Sequence, residues 1–171
     1  MDDNSNLDGA NTKEGLLPIR TWLALFSTVK QIEAVVRINL RESFDSTLPR
    51  FDLLSQLYRT PEGMTMGELS NRLMVTNGNV TGLIARLAGE GLVERLQDSG
   101  DRRIQRVRLT PKGRQMFGTM APANQAWVSA VMADLTEDEM RQLHGLLGKL
   151  KASVSASPNG RRETADAVGE E

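Results

Sequence analysis

The stretch from Met66 to Gly113 reads MGELSNRLMVTNGNVTGLIARLAGEGLVERLQDSGDRRIQRVRLTPKG, and its pattern decides the fold. Apolar residues recur at spacings of three and four in two segments that the triplet MVT separates, which predicts two helices joined by a turn. Thr65 and Glu68 have the spacing of a capping box at the start of the first helix. The segments LVERL and IQRVRLT then alternate apolar and polar residues, as a β-hairpin does. Helix, turn, helix and hairpin in this order predict a winged helix-turn-helix.

The second helix of this pair, from Thr76 to Glu90, has an outer face suited to DNA, and Thr76 is its predicted cap. The major groove admits one α-helix, where asparagine, threonine and arginine side chains read base edges or bind phosphates. Gly78 and Gly82 permit a close approach, although each lowers helix propensity by about 1 kcal/mol. A capped surface helix of unusual composition is the alternative. The predicted DNA-reading residues of this helix are Thr76, Asn77, Asn79, Thr81 and Arg86.

The tip of the predicted hairpin, DSGDRR, holds two adjacent arginines that a turn does not need. A wing beside a recognition helix lies over the minor groove, where a guanidinium meets concentrated negative potential. We predict that Arg102 and Arg103 contact DNA there, and that Asp101 pairs with an arginine and supports the turn. The alternative is an exposed hairpin with a surface ion pair, which contributes little stability. Ile104 is out of phase with Val107 and Leu109, which predicts a bulge or a twist.

The charges of the chain are unevenly distributed. The 171 residues carry a net charge of −1, yet the segment from Thr65 to Arg114 has nine Lys or Arg against five Asp or Glu, a local charge of +4. A local basic block on a neutral protein is a usable footprint for nucleic acid. A solvated charged face is the alternative.

Composition excludes several classes of protein. The chain has no cysteine and one histidine, His144, which excludes disulfides, thiolate metal sites and a His-rich metal site within one chain. We find no catalytic constellation and no phosphate-binding glycine loop, so we expect neither an enzyme nor a cofactor. No apolar run is long enough for a membrane span, and the acidic N-terminus is unlike a secretory signal. We expect a cytoplasmic protein.

Long amphipathic segments flank the winged part. A helix is predicted from Leu16 to Phe44. Another begins after Thr110 and runs to about Leu135, with a kink expected at Pro122, and a second capping box at Thr136 starts the last one. These helices offer more apolar surface than one small domain can cover, which predicts dimerisation. One larger monomeric α-bundle is the alternative.

The predicted fold is mainly α with a small β-hairpin, a winged helix-turn-helix with N- and C-terminal dimerisation helices. The predicted parts are a disordered tail at 1–15, a dimerisation helix at 16–46, a DNA-binding domain at 47–110, C-terminal dimerisation helices at 111–153 and a disordered tail at 154–171.

Three motifs carry a resemblance to a known family: VTGLIARLAGEGLVER at 80–95, DRR at 101–103 and LTPKG at 109–113. On these motifs the chain resembles the MarR family of bacterial transcription regulators, closely from Met66 to Gly113 and by pattern in the flanking helices. The resemblance implies an obligate homodimer with interlocked terminal helices, bound to double-stranded DNA at a pseudo-palindromic operator.

The resemblance also implies roles for single residues. Arg103 would be the minor-groove residue of the wing and Asp101 its support. Ala85 departs from the family, whose members often carry Asp there, and its neighbour Arg86 is then freer to contact phosphate.

The family further implies a small effector, bound between the dimerisation helices and the DNA-binding domain. Aromatic side chains at helical spacing fit a core equally well, and that alternative stays open. The candidate pocket residues are Arg20, Trp22, Phe26, Arg37, Phe51, Tyr58 and Trp127, with the arginines placed to meet an anion. The stretch from Leu48 to Leu83 resembles the subgroup that controls the catabolism of hydroxycinnamates and related aromatic acids. That resemblance implies p-coumaroyl-CoA or a related aryl-CoA as effector.

Together these features predict a dimeric DNA-binding transcriptional regulator, a repressor released by a small aromatic acid or an aryl-CoA thioester. Effector binding would favour a dimer whose recognition helices no longer match successive major grooves. The alternative function is a winged-helix protein-interaction scaffold without sequence-specific DNA binding.

Overall fold

The computed structural model describes residues 15–97 and 104–157, and its elements follow the order that the sequence predicts. The helices are α1 Leu17–Phe44, α2 Leu48–Arg59, α3 Met66–Leu73, α4 Asn77–Gly89, α5 Pro111–Val131 and α6 Glu137–Ala156. The strands are β1 Met64–Thr65, β2 Val93–Gln97 and β3 Gln105–Leu109, and they form one antiparallel sheet. The predicted fold class, mainly α with a small β component, is confirmed.

Both predicted capping boxes are present. At the start of α3, the Thr65 hydroxyl accepts the Glu68 amide at 3.2 Å, and the Glu68 carboxylate accepts the Thr65 amide at 2.7 Å. At the start of α6, the Thr136 hydroxyl accepts the Glu139 amide at 3.3 Å, and the Glu139 carboxylate accepts the Thr136 amide at 2.8 Å. Each box satisfies two helix-terminal amides, so these helix starts are set by local chemistry.

The sheet has one more strand than the predicted two-stranded hairpin. β1 pairs with β3 through Met64 opposite Val107 and Thr65 opposite Arg106, which gives the strand order β1-β3-β2. A strand of two residues is too short to show an alternating pattern, so sequence periodicity gives no signal for it.

Of the predicted bulge or twist in the hairpin, the bulge is wrong for the paired residues. β2 and β3 pair without interruption from Val93 opposite Leu109 to Gln97 opposite Gln105. Val107 and Leu109 keep one phase and are buried, whereas Ile104 precedes β3 and is exposed. Ile104 is therefore out of phase because it lies outside the strand.

The boundary predicted for the C-terminal tail is three residues too early. α6 continues to Ala156 and stops because Ser157, which precedes a proline, takes the extended conformation at φ −68° and ψ 151°. α5 continues through Pro122 but ends at Val131, and a turn leads from there to Thr136. The remainder of the two predicted tails, 1–14 and 158–171, lies outside the described residues.

The core lies where α2, α3 and α4 meet the sheet, the C-terminal part of α1 and the first half of α5. Its fully buried side chains are Leu40, Leu53, Leu54, Leu57, Met64, Leu69, Val80, Ile84, Leu87, Leu92, Val107 and Met120. α6 contributes no buried residue, and the buried residues of α1 are Val36 and Leu40, both in its C-terminal half. None of the helices in the described ranges is both long enough and apolar enough to cross a membrane.

Candidate nucleic-acid interface

α4 has one buried face and one exposed face. Val80, Ile84 and Leu87 recur at helical spacing and are at most 1% exposed, because they pack into the core between α3 and the sheet. Residues on the opposite face are exposed; they are Gly78, Asn79, Thr81, Gly82 and Arg86. The side chain of Asn77 lies outside what the structure describes. The core therefore presents three of the predicted DNA-reading side chains, Asn79, Thr81 and Arg86, on one outer face.

Thr76 is the N-cap residue of α4, but its side chain does not cap the helix as the sequence predicts. Its backbone is extended, as expected for an N-cap residue, yet its side chain makes no capping hydrogen bond. The reason is that its backbone carbonyl accepts both the Asn79 amide at 3.0 Å and the Val80 amide at 3.2 Å. The exposed Thr76 hydroxyl is therefore not used to cap the helix.

The C-terminal end of α4 is held by two neighbouring helices. Arg50, near the start of α2, donates from both terminal guanidinium nitrogens to the two Glu90 carboxylate oxygens at 2.6 and 2.5 Å. Lys112, at the start of α5, donates to the Glu90 carbonyl at 2.8 Å. The hydrogen bond from Arg50 lowers the pKa of Glu90 below its ordinary range, and Lys112 and Arg86 add smaller effects. Sequence reasoning missed this clamp, because residues 40 positions apart give no periodic signal.

The root of the wing is tied to α5 through backbone groups. The Thr110 amide donates to the Leu92 carbonyl at 3.1 Å, and the Thr110 hydroxyl donates to the Gly91 carbonyl at 2.7 Å. The same hydroxyl accepts the Gly113 amide at 3.0 Å, which caps α5 as the sequence predicts. These bonds fix the two strands of the wing relative to α4.

The wing itself is described only along its strands. Arg108 pairs with Glu94 across the strands at 2.7 Å, and Arg106 lies 3.6 Å from the Glu68 carboxylate of α3. These two arginines of the basic block are thus engaged within the chain. The predicted tip residues Asp101, Arg102 and Arg103 lie outside the described residues, so their roles remain predictions.

A known family matches this arrangement. The model of the MarR family matches residues 46–105, from the end of α1 to the start of β3. The HTH-type transcriptional regulator YsmB of Bacillus subtilis is 30% identical over 137 residues, which cover 78% of this chain and 93% of YsmB. The chain belongs to the MarR family of transcriptional regulators. Such regulators bind double-stranded DNA and are not enzymes, and homodimers are typical of the MarR family.

Solved MarR-type structures share the fold. FabT of Streptococcus pneumoniae in complex with DNA is 26% identical with a TM-score of 0.68, and the match covers 80% of this chain and 96% of FabT.

The transcriptional activatory protein BadR of Rhodopseudomonas palustris is 38% identical over 87 residues, which is 50% of either chain. This partial match does not confirm the hydroxycinnamate subgroup of the MarR family that the sequence suggested.

Within one chain, the predicted effector residues of this MarR protein do not share a pocket. Trp22 and Phe26 stack on each other at 6.0 Å between ring centroids, exposed in the first turns of α1. Arg20 and Arg37 are both exposed on α1, 17 residues apart, which is about 25 Å along a helix.

The other three aromatic candidates pack elsewhere. Phe51 and Tyr58 both contact the Phe117 ring, at 5.3 and 4.9 Å between ring centroids, and Trp127 contacts Phe44 at 6.1 Å. Phe51 is buried in the core, which is the alternative that the sequence left open.

Two cavities lie near these residues. The larger cavity, about 470 Å³, lies between α2 and α4. Its lining residues are Asp45, Thr47, Pro49, Arg50, Asp52, Leu73, Val75, Asn79, Val80, Leu83 and Arg86. The smaller, about 250 Å³, lies between α1, α2 and α5 and is lined by Val29, Ile32, Glu33, Val36, Leu48, Phe51, Asp52, Asn124 and Val128. Of the predicted effector residues, only Phe51 lines either cavity. Asp52 and Asn124 stand in no recognisable motif, so the sequence offers no signal for either residue.

Proposed function

We propose that this MarR-family chain acts as a homodimeric repressor, which binds a pseudo-palindromic operator and is released by an aryl-CoA thioester. The observation that carries the DNA-binding part is the outer face of α4, where Asn79, Thr81 and Arg86 are exposed together. Thr76 is the N-cap residue of this helix. In this proposal Asn77 also contacts the operator, and Arg102 and Arg103, supported by Asp101, bind in the adjacent minor groove, as the sequence predicts. Amide and guanidinium groups of this kind pair with adenine and guanine edges.

Exposed apolar surface on α1 and α6 supports the homodimer. Trp22 is 61% exposed and Leu146 62% exposed, and each lies in a row of apolar side chains at helical spacing. The rows consist of Leu16, Ile19, Leu23 and Phe26 around Trp22, and of Met140, Leu143, Leu147, Leu150 and Val154 around Leu146. A second copy of the chain, with the same two faces, would bury both rows at once. It would also place two α4 helices on one side, at the spacing of successive major grooves.

The chemistry of the smaller cavity favours the phenolic end of an aryl-CoA over a free aromatic acid. Glu33 and Asp52 both line the cavity. Burial, and next the nearby Glu33 carboxylate, raise the pKa of Asp52. A further carboxylate here, such as that of a free acid, would be repelled and would lose its hydration.

A phenol, by contrast, brings a hydrogen-bond donor. Asn124 also lines the cavity, and its Oδ1 is buried without a hydrogen-bond partner among the described residues. A buried acceptor of this kind gains from a donor, since leaving it unpaired costs about 1 to 3 kcal/mol. Apolar side chains such as Val36 and Phe51 would contact the ring. The p-hydroxyphenyl group of p-coumaroyl-CoA provides both the hydroxyl donor and the apolar ring. Its thioester carries no charge at the acyl carbon.

The position of α2 suggests how such a ligand would release DNA. α2 supplies Phe51 and Asp52 to the cavity, and one residue earlier it supplies Arg50 to the clamp on Glu90. A shift of α2 on binding would therefore move the end of α4. Two helices that no longer match successive grooves bind the operator more weakly.

The test is operator binding across a salt series, measured by fluorescence anisotropy on DNA from the upstream region of the gene. We expect specific affinity that falls steeply with salt, in proportion to about six to ten neutralised phosphates. p-Coumaroyl-CoA should weaken binding, while cinnamoyl-CoA, which lacks the phenol, and free p-coumarate should act only at much higher concentration. Asn124→Leu should remove the preference for p-coumaroyl-CoA over cinnamoyl-CoA without changing affinity for DNA.

Other outcomes separate the parts of the proposal. Specific binding that no thioester changes would overturn the effector and leave the DNA-binding role. Absence of specific binding at any salt would favour the scaffold function. Activation is the second candidate, because BadR is named as an activatory protein. Transcription in vitro from the same promoter decides between the two, since a repressor lowers the transcript and an activator raises it.

A further inference from the structure

The turn between α3 and α4 contains a methionine in an unfavourable backbone conformation. Met74 has φ 53° and ψ 42°, in the left-handed region. The Val75 amide donates to the Ser70 carbonyl at 3.2 Å across it, so Met74 closes α3 where glycine is the usual residue. An L side chain in this conformation is destabilising. Asp45 is the other non-glycine residue with positive φ in the described ranges, and its short polar side chain is of the kind that tolerates it.

The Met74 side chain gains nothing from the fold in return. It is 93% exposed, the highest value among the exposed large apolar side chains that the structure describes. A single exposed apolar side chain is ordinary and carries no inference by itself. Met74, however, is exposed and also has a left-handed backbone that glycine or asparagine would adopt more readily. The free protein is therefore less stable because of this residue. Such an outlier points to a function of the side chain.

The position of Met74 indicates what that function is. Met74 lies two residues before Thr76, the N-cap of α4, and five before Asn79 on the outer face. The N-terminal residues of a recognition helix are those that reach base edges in the major groove. The unbranched, flexible chain of a methionine adapts to an irregular apolar surface. In the major groove, the apolar group on a base edge is the thymine C5-methyl group.

We propose that Met74 is a specificity-determining residue, which contacts a thymine methyl group at the edge of each operator half-site. The inference rests on the proposed function of α4 as the recognition helix. It adds a residue outside that helix and predicts a preference for A·T at one position. It also explains the unfavourable backbone, since glycine would relieve the conformation and lose the contact.

Three substitutions at this position test the proposal. Met74→Gly should raise the urea midpoint of unfolding, because glycine adopts the left-handed conformation freely, yet lower operator affinity by about fivefold. Met74→Gln has similar size and no apolar end, so it should lower affinity to a similar degree. Met74→Leu keeps an apolar side chain and should retain affinity. A purely structural role would move stability and affinity in the same direction.

Modified DNA tests the contact directly. Deoxyuridine in place of thymidine at the outer positions of each half-site removes only the methyl group. At one of these positions it should lower wild-type affinity by about fourfold and leave the affinity of Met74→Gly unchanged. If Met74→Gly binds the operator as tightly as the wild type, or if both proteins respond equally to deoxyuridine, the proposal is overturned. Asn79→Ala is the control for α4. If Asn79→Ala loses operator binding, α4 reads the operator, and a negative result at Met74 counts against the Met74 contact alone. A wild type without specific binding overturns both proposals.

Discussion

Gly113, the third residue of α5, packs against the backbone at the root of the wing. A Cβ atom added to Gly113 would lie 2.0 Å from the Leu92 carbonyl oxygen and 2.9 Å from its carbon. The obstacle is main chain, which cannot rotate away as a side chain can. The same Leu92 carbonyl accepts the Thr110 amide at 3.1 Å, so it is held in place. Real Cβ atoms essentially never approach another atom closer than 3.0 Å, so Gly113→Ala must push α5 and the Leu92 backbone apart by about 1 Å.

The magnitude follows from what that displacement breaks. Overpacking of a closely packed site costs about 1 to 3 kcal/mol. The hydrogen bonds from Thr110 to the Leu92 and Gly91 carbonyls, at 3.1 and 2.7 Å, would be lost or stretched. At about 1 kcal/mol for each bond, the total is about 3 to 5 kcal/mol. Since native domains are stable by about 5 to 15 kcal/mol, Gly113→Ala should remove a large part of the free energy of unfolding.

The assay is urea unfolding followed by far-UV circular dichroism at matched protein concentration. Gly118→Ala, in the same helix, is the matched control, because a Cβ atom there meets nothing within 4 Å. Alanine at an exposed helical position should stabilise by about 0.5 to 1 kcal/mol. The two alanines should thus act in opposite directions. If Gly113→Ala is as stable as the wild type, the contact with Leu92 yields at little cost and the reasoning from backbone collision fails.

Three further predictions concern the DNA-binding surface and its supports. Gly82→Ala should stabilise α4 by about 1 kcal/mol, because a Cβ atom there has open space, but weaken operator binding in anisotropy titrations; unchanged affinity would mean that DNA does not approach this glycine closely. Arg103→Ala should weaken operator binding by about 1 to 3 kcal/mol and leave the dimer intact in light scattering; full affinity would contradict the wing role. The hydrogen bond from Arg50 lowers the pKa of Glu90 in the folded protein. Ionised Glu90 therefore stabilises the folded protein above the ordinary glutamate pKa, and this contribution disappears as pH falls through the lowered pKa. Glu90→Gln should therefore reduce the loss of stability in that acidic range, and identical pH profiles would show that the clamp contributes nothing.

Local patterns in the sequence were enough for the order of elements and for several helix ends. Thr65 with Glu68, and Thr136 with Glu139, define capping boxes within four residues of chain, and both are present. The outward face of α4 follows from the spacing of Val80, Ile84 and Leu87, which recur as a helix requires. Interactions within one or two helical turns depend on residues that are neighbours in sequence, so they can be predicted without the fold.

Predictions that required contacts between distant segments were less complete. The two-residue strand β1 exists because β3 offers it a partner, and it has no pattern of its own. The aromatic residues expected in one effector pocket divide between the α1 surface and separate clusters around Phe117 and Phe44. Helical spacing gives the face of a side chain but not what packs against that face.

The sequence by itself determined the helix-turn-helix, the wing strands and the exposed face of α4, because period, capping and turn chemistry act over a few residues. Only the tertiary structure decided how those parts are held. The Arg50 clamp on Glu90 spans 40 residues, and the collision that forbids a side chain at Gly113 depends on a carbonyl from the turn between α4 and β2. Such interactions arise when the hydrophobic core brings α2, α4 and α5 together, and packing of the core follows from the whole chain rather than from any segment of it.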